Sequence, residues 1–146
     1  MKLRDSINAG IKKLFDLDRF EFEKVIIDKE VVDNIVELAQ QTLPKEFVAF
    51  LEGKVKNKVL TVKGLFYQEY IANPSYTVYK FNPPTASNFV GSVHSHPGAS
   101  NRPSRADLRS FSKNGMVHLI IRMPYRQENI QAYDKLGNPI GFEVDD

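Results

Sequence analysis

The chain has no cysteine. That excludes a disulfide framework, a thiolate-held zinc and a thiol nucleophile. It also lacks any apolar run approaching the ~20 residues of a membrane-spanning helix. Its first residues, MKLRDSINAG, contain no apolar core of the secretory type. A cytoplasmic protein without membrane attachment is the expectation. Nor is one charge in excess: 20 lysines and arginines face 18 aspartates and glutamates, a net charge of +2. That is too small to argue for a nucleic-acid partner on bulk electrostatics. Histidine is scarce, three in all, yet His94 and His96 stand two positions apart.

What remains is an ordinary globular chain. At 146 residues, 42% apolar and 26% charged, it can build one domain around its own hydrophobic core. Its only staples would be packing or a metal site made of histidine and carboxylate. Leu3, Ile7, Ile11 and Leu14 share a helical face, so residues 1–20 read as an N-terminal helical extension and 21–146 as the domain proper. The extension docks on the domain or packs on a second copy, which admits a homodimer.

Phe22 to Asp28 is β-branched and predicts a strand. Val32, Ile35, Val36, Leu38 and Ala39 mark a helix over Lys29 to Thr42, ended by Leu43-Pro44. Lys45 to Val55 is apolar on both faces, as in a buried central strand, with Glu46 at its entrance. Lys58 to Gln68 continues as a strand. Tyr67 to Asn88 is punctuated by Asn-Pro pairs and reads as an extended surface loop holding a short strand, Thr77 to Phe81. Its tyrosines and phenylalanines serve the core or line a groove for an extended peptide. Phe89 to His94 and Val117 to Arg122 are strands, and Ser104 to Lys113 is a helix with Leu108 and Phe111 toward the core. Ile130 to Asp134 and Pro139 to Val144 form a hairpin around Leu136-Gly137-Asn138.

The chemistry concentrates in GSVHSHPGASNRPSRAD, Gly91 to Asp107. Residues two apart on a strand point to one side, so His94 and His96 can grip one ion. Asp107, one turn into the following helix, can supply a third ligand. Two imidazoles and a carboxylate suit Zn²⁺, and three protein ligands leave a fourth position for water. Such a water has its pKa lowered to about 7; a base is still needed to move its proton to a leaving amine. Each fragment has a plainer reading. Ser104-x-x-Asp107 is a capping box variant, Glu46 a solvated strand end, and His118 a satisfied core histidine. Arg102, Arg105 and Arg109 are a solvated helix face, or they dock an acidic modifier or a terminal carboxylate. Asn101 and Arg102 lie on the turn between ligands, within reach of a substrate.

The run HSHPGASNRPSRAD resembles the H-x-H-P-x6-S-x-x-D signature of the JAMM/MPN+ metalloproteases at every fixed position. Upstream, PKEFVAFLEG is similar to the family's glutamate-bearing segment, with Glu46, Ala49, Leu51 and Gly53 in register; Val48-Ala49 replaces the cysteine-glycine pair of many members. The resemblance implies an α/β fold: a single MPN-type domain with a mixed, mostly antiparallel, curved sheet packed between helices, as in cytidine deaminases. It implies zinc on His94, His96 and Asp107, Glu46 as general acid/base, and Ser104 as a stabiliser of the oxyanion. It also implies cleavage of isopeptide bonds to ubiquitin-like modifiers or trimming of sulfur-carrier proteins.

Other zinc chemistries fit less well. A nucleobase deaminase needs P-C-x-x-C, the H-E-x-x-H helix is absent, and a barrel amidohydrolase needs about 250 residues. Two alternatives stay open: hydrolysis of a small amide or a sulfur-carrier adduct, and a modifier-binding module with purely structural zinc. Intact Glu46 and Ser104 speak against the second.

Overall fold

The computed structural model describes residues 22–67, 88–113 and 115–146. The N-terminal extension and the loop strand at 77–81 lie outside them, as do Tyr70, Tyr76, Tyr79 and Phe81. Strand β1 (Lys24–Asp28) runs straight into helix α1 (Lys29–Thr42). Helix α1 buries Val31, Val32, Ile35 and Ala39 along one stripe, each larger aliphatic contributing about 1.5–3 kcal/mol on leaving water. Strands β2 (Val48–Lys56) and β3 (Val59–Phe66) form a tight hairpin. Its two central residues, Asn57 and Lys58, have φ of 52° and 64°, the left-handed pair that matches the twist of the flanking strands. Then come β4 (Phe89–Ser95), α2 (Arg105–Phe111), β5 (Val117–Ile121), a 3-10 turn (Gln127–Asn129) and β6 (Ile130–Asp134). Two short strands follow, β7 (Pro139–Ile140) and β8 (Glu143–Asp145).

The described residues form one eight-stranded sheet in the order β7-β6-β5-β4-β2-β3-β1-β8. Its pairing is mixed: β4 with β5, β1 with β3 and β1 with β8 are parallel, the other pairs antiparallel. Alternation along β5 explains the layering. Val117, Leu119 and Ile121 join the main core, which also holds the buried face of α1, while Ile120 joins a smaller cluster with Phe111 of α2 and Tyr133. The sheet therefore lies between the two helices. Gly91 permits close approach of β4 and β5, since a Cβ there would run into the Val117 carbonyl.

Two expectations need correction. Leu108 is 39% exposed and lies against Gly137 rather than in the core; a seven-residue helix buries one side only, and Phe111 takes it. Pro139 to Val144 is not one hairpin arm. Only Pro139 and Ile140 pair with β6, whereas Glu143 to Asp145 pair with β1 at the other end of the sheet. Gly141 and Phe142 alone separate β7 from β8, so the outermost strands lie within about 11 Å along the chain. The sheet curls almost closed.

Candidate metal centre

β4 carries His94 into the open end of the sheet, opposite Val48 of β2 and beside Ile120 of β5. His96 follows just beyond the strand and is held on three sides. Its N–H donates to the Ile121 carbonyl at 2.9 Å, its own carbonyl accepts from the Tyr125 hydroxyl at 2.9 Å, and its Nδ1 meets the Ser100 carbonyl at 2.9 Å. A carbonyl only accepts, so Nδ1 carries the proton and Nε2 of the neutral ring keeps its lone pair.

Asp107 is the third residue of α2, and the helix start is a capping box. The Ser104 hydroxyl accepts the Asp107 N–H at 3.1 Å while Asp107 Oδ2 accepts the Ser104 N–H at 2.8 Å. The carboxylate that caps the helix thus also faces the histidines. Asp107 Oδ1 lies 3.3 Å from His94 Nε2, Oδ2 lies 3.3 Å from His96 Nε2, and the two Nε2 atoms are 3.1 Å apart. Metal–ligand bonds of about 2.0–2.1 Å in a tetrahedron put neighbouring ligands about 3.3 Å apart. The two Nε2 atoms are spaced like neighbouring ligands, each has an Asp107 oxygen beside it, and one ligand atom from each residue lies within 4.8 Å of the others, so the donor set fits zinc. Their side chains are 12%, 19% and 19% exposed, which leaves one side open.

Burial acts to raise the Asp107 pKa. Hydrogen bonds from the His94 ring and the Ser104 backbone, together with the His94 charge, outweigh it and hold the carboxyl far below the usual carboxylate range. Asp107 is therefore an anionic acceptor at neutral pH.

Glu46 is exposed at the entrance of β2. Phe47 and Ser95 are joined by Ser95 N–H to the Phe47 carbonyl at 3.1 Å and Phe47 N–H to the Ser95 hydroxyl at 2.9 Å. Glu46 directly precedes this Phe47–Ser95 contact, just outside the paired positions of β2 and β4. The Glu46 charge also acts, after burial, to raise the Tyr125 phenol, whose hydroxyl bonds the His96 carbonyl. Ser104 is exposed as well.

His118 is fully buried and both its nitrogens are engaged, so it is a core histidine and not a ligand. Asn101 spends its amide on the Asn129 carbonyl at 3.1 Å, holding the turn rather than facing outward. Arg102, Arg105 and Arg109 are exposed. Sequence reasoning missed Tyr125 and Tyr133. The Tyr133 hydroxyl donates to the Asn101 carbonyl at 2.6 Å, and with Tyr125 it pins the loop joining the histidines to Asp107. A buried tyrosine must find a partner for its hydroxyl, and that was the available signal.

Residues 28–134 match the family model for prokaryotic homologues of the JAB domain. A probable metalloprotease of Haloferax volcanii is 33% identical over 134 residues, covering 84% of this chain and 80% of its own. A solved structure described as a metalloprotease-like JAMM zinc site in the proteasome and signalosome superposes with a TM-score of 0.64. It is 28% identical and covers 85% of this chain and all of its own. A JAB1/MPN domain protein from Archaeoglobus fulgidus gives the same TM-score at 27% identity, over 85% and 99% of the two chains. By the matched family model and the Haloferax relative together, the chain belongs to the prokaryotic JAB-domain family, within the JAMM/MPN+ metalloproteases.

Proposed function

We propose that this protein is a zinc-dependent isopeptidase that releases ubiquitin-like or sulfur-carrier proteins from lysine conjugates in the cytoplasm. The observation that carries the reading is the convergence of His94, His96 and Asp107, one ligand atom from each within 4.8 Å of the others. In this reading His94 and His96 bind zinc through Nε2 and Asp107 binds through its carboxylate. Bound zinc supplies Lewis acidity and brings the pKa of a coordinated water down to about 7. Glu46 takes the proton from the attacking water and passes it to the departing lysine nitrogen. The Ser104 hydroxyl accepts the Asp107 N–H, which leaves its own O–H to donate to the oxygen that gains charge as the carbonyl is attacked. The Haloferax relative, a probable metalloprotease, supports the hydrolytic part of the reading.

The test is a substrate trap. Tagged Glu46→Gln protein with its zinc content measured is incubated with lysate of the source organism, and captured material is identified by mass spectrometry. Enrichment of modifier conjugates over a His96→Ala control is the expected result. Zinc-loaded protein that enriches no conjugate would overturn the isopeptidase assignment in favour of a small amide or sulfur-carrier adduct. Normal zinc content in His96→Ala would remove that residue from the ligand set.

A further inference from the structure

Strand β5 reads Val-His-Leu-Ile-Ile, and all five residues are buried. An imidazole there displaces an apolar side chain and must have both nitrogens satisfied. Its partners belong to three different segments. The Ser92 hydroxyl is 2.7 Å from Nδ1, while Nε2 faces the Phe111 carbonyl at 3.1 Å and the Gly115 carbonyl at 3.3 Å. Two carbonyls around Nε2 fix the proton there, so Nδ1 accepts from Ser92. The ring also stacks on Phe111, with centroids 4.3 Å apart and planes 7° from parallel.

These partners matter because of what else they carry. Ser92 is two residues before His94 on β4, on the same face of the sheet. Phe111 is one turn after Asp107 on α2, on the same side of the helix, and its ring centroid lies 6.4 Å from that of His94. Helix α2 has seven residues, far below the ~12–15 at which an isolated helix becomes even marginal. Something outside the helix must hold it. Its first turn is held by the capping box that includes Asp107. Its last residue offers a carbonyl that lacks a partner within the helix, and His118 supplies the donor.

We infer that His118 is a positioning residue for the metal site: it locks the helix bearing Asp107 onto the strand bearing His94 without touching the ion. This rests on the zinc reading of His94, His96 and Asp107. A ligand atom that drifts by a fraction of an ångström no longer meets the ion at bonding distance. The loss therefore falls on zinc affinity more than on folding.

The experiment measures zinc affinity by chelator competition, and apo-protein melting, for wild type, His118→Phe, His118→Gln and Ser92→Ala. His118→Phe keeps the ring stack and the volume but loses both hydrogen bonds, so zinc affinity should fall about 10–100-fold, the usual range for groups that orient ligands. His118→Gln keeps a donor toward the Phe111 carbonyl and should recover most of that loss. Ser92→Ala is the milder variant and should weaken zinc several-fold even if His118→Phe does not fold. Ile35→Val, on the far side of the sheet, controls for general destabilisation and should leave affinity unchanged. Wild-type affinity in both His118→Phe and Ser92→Ala would overturn the inference, as would an equal loss in Ile35→Val. Wild-type protein that takes up no zinc would instead overturn the metal reading itself.

Discussion

Glu46 and His118 are two titratable side chains in opposite environments, and they fail in opposite ways. Glu46 is exposed, and replacing it with glutamine removes a proton acceptor without changing shape. Turnover of a conjugate should fall by about 10²–10⁴ while zinc content, read by atomic emission, stays at the wild-type level. A fully active Glu46→Gln enzyme would exclude the base role. His118 is buried, and burial pulls its pKa down to about 4, against about 6.5 in an unfolded chain. Between those values the unfolded chain binds the proton and the native chain does not. Stability from this group is thus complete above about pH 6.5 and drains as pH falls toward 4, by up to about 3 kcal/mol. Urea unfolding of apo wild type at pH 7 and 4.5 should show the loss, and His118→Phe should flatten it. That His94 and His96 come together was legible in the sequence because a strand fixes which face residues two apart share. The partners of His118 were not, since β4 and β5 meet in parallel across an intervening helix and no local spacing announces that pairing.

At the level of elements, the helix whose capping box includes Asp107 is the economical feature. Ser104→Ala deletes the cap that orients Asp107, at a cost of about 1 kcal/mol, which differential scanning calorimetry on apo protein would register. Zinc affinity should drop in the same variant. Catalytic efficiency of zinc-saturated enzyme should fall further than the stability loss explains, because the hydroxyl is also assigned to the oxyanion. An unchanged kcat/KM at saturating zinc would leave Ser104 with the cap alone. Helix α1 was readable from end to end. A 3.6-residue apolar stripe and a following Leu-Pro marked it without help from tertiary contacts. The segment 139–144 was misread for the converse reason. Ile140, Phe142 and Val144 alternate as one strand would, yet the chain changes partners between Ile140 and Glu143. Period-two patterning reports which face is apolar, not which neighbour is hydrogen-bonded. The exposed Leu108 was misread because a short helix has room to bury only one residue of its pair.

For the whole molecule, closure of the curled sheet depends on very little chain. β8 covers β1 through three paired positions and an exposed Lys24–Glu143 ion pair at 3.0 Å. Deleting residues 143–146 should bare the outer edge of β1, a strand with Val25 and Ile27 in the core, and edges of that kind recruit other strands. Sedimentation velocity should then show more self-association than in the full chain; a deletion variant that sediments no faster than its parent would rule this out. The resemblance carried by HSHPGASNRPSRAD made the family and its layered α/β architecture legible, but not this closure.

The order of strands also sets a timetable. β1 finds β3 at a sequence distance of 35 residues, Lys24 to Val59, but finds β8 only at 117, Ile26 to Glu143. Each doubling of a loop adds only about 0.6 kcal/mol of closure entropy, so the long connection is affordable at equilibrium. Kinetically it comes late, since non-local pairings slow folding. The β2–β3 hairpin can form first and receive β1, and the β1–β8 contact shuts the molecule last and reopens first. Amides of β1 that face β8 should exchange with solvent ahead of those that face β3, giving one strand a fast side and a slow side.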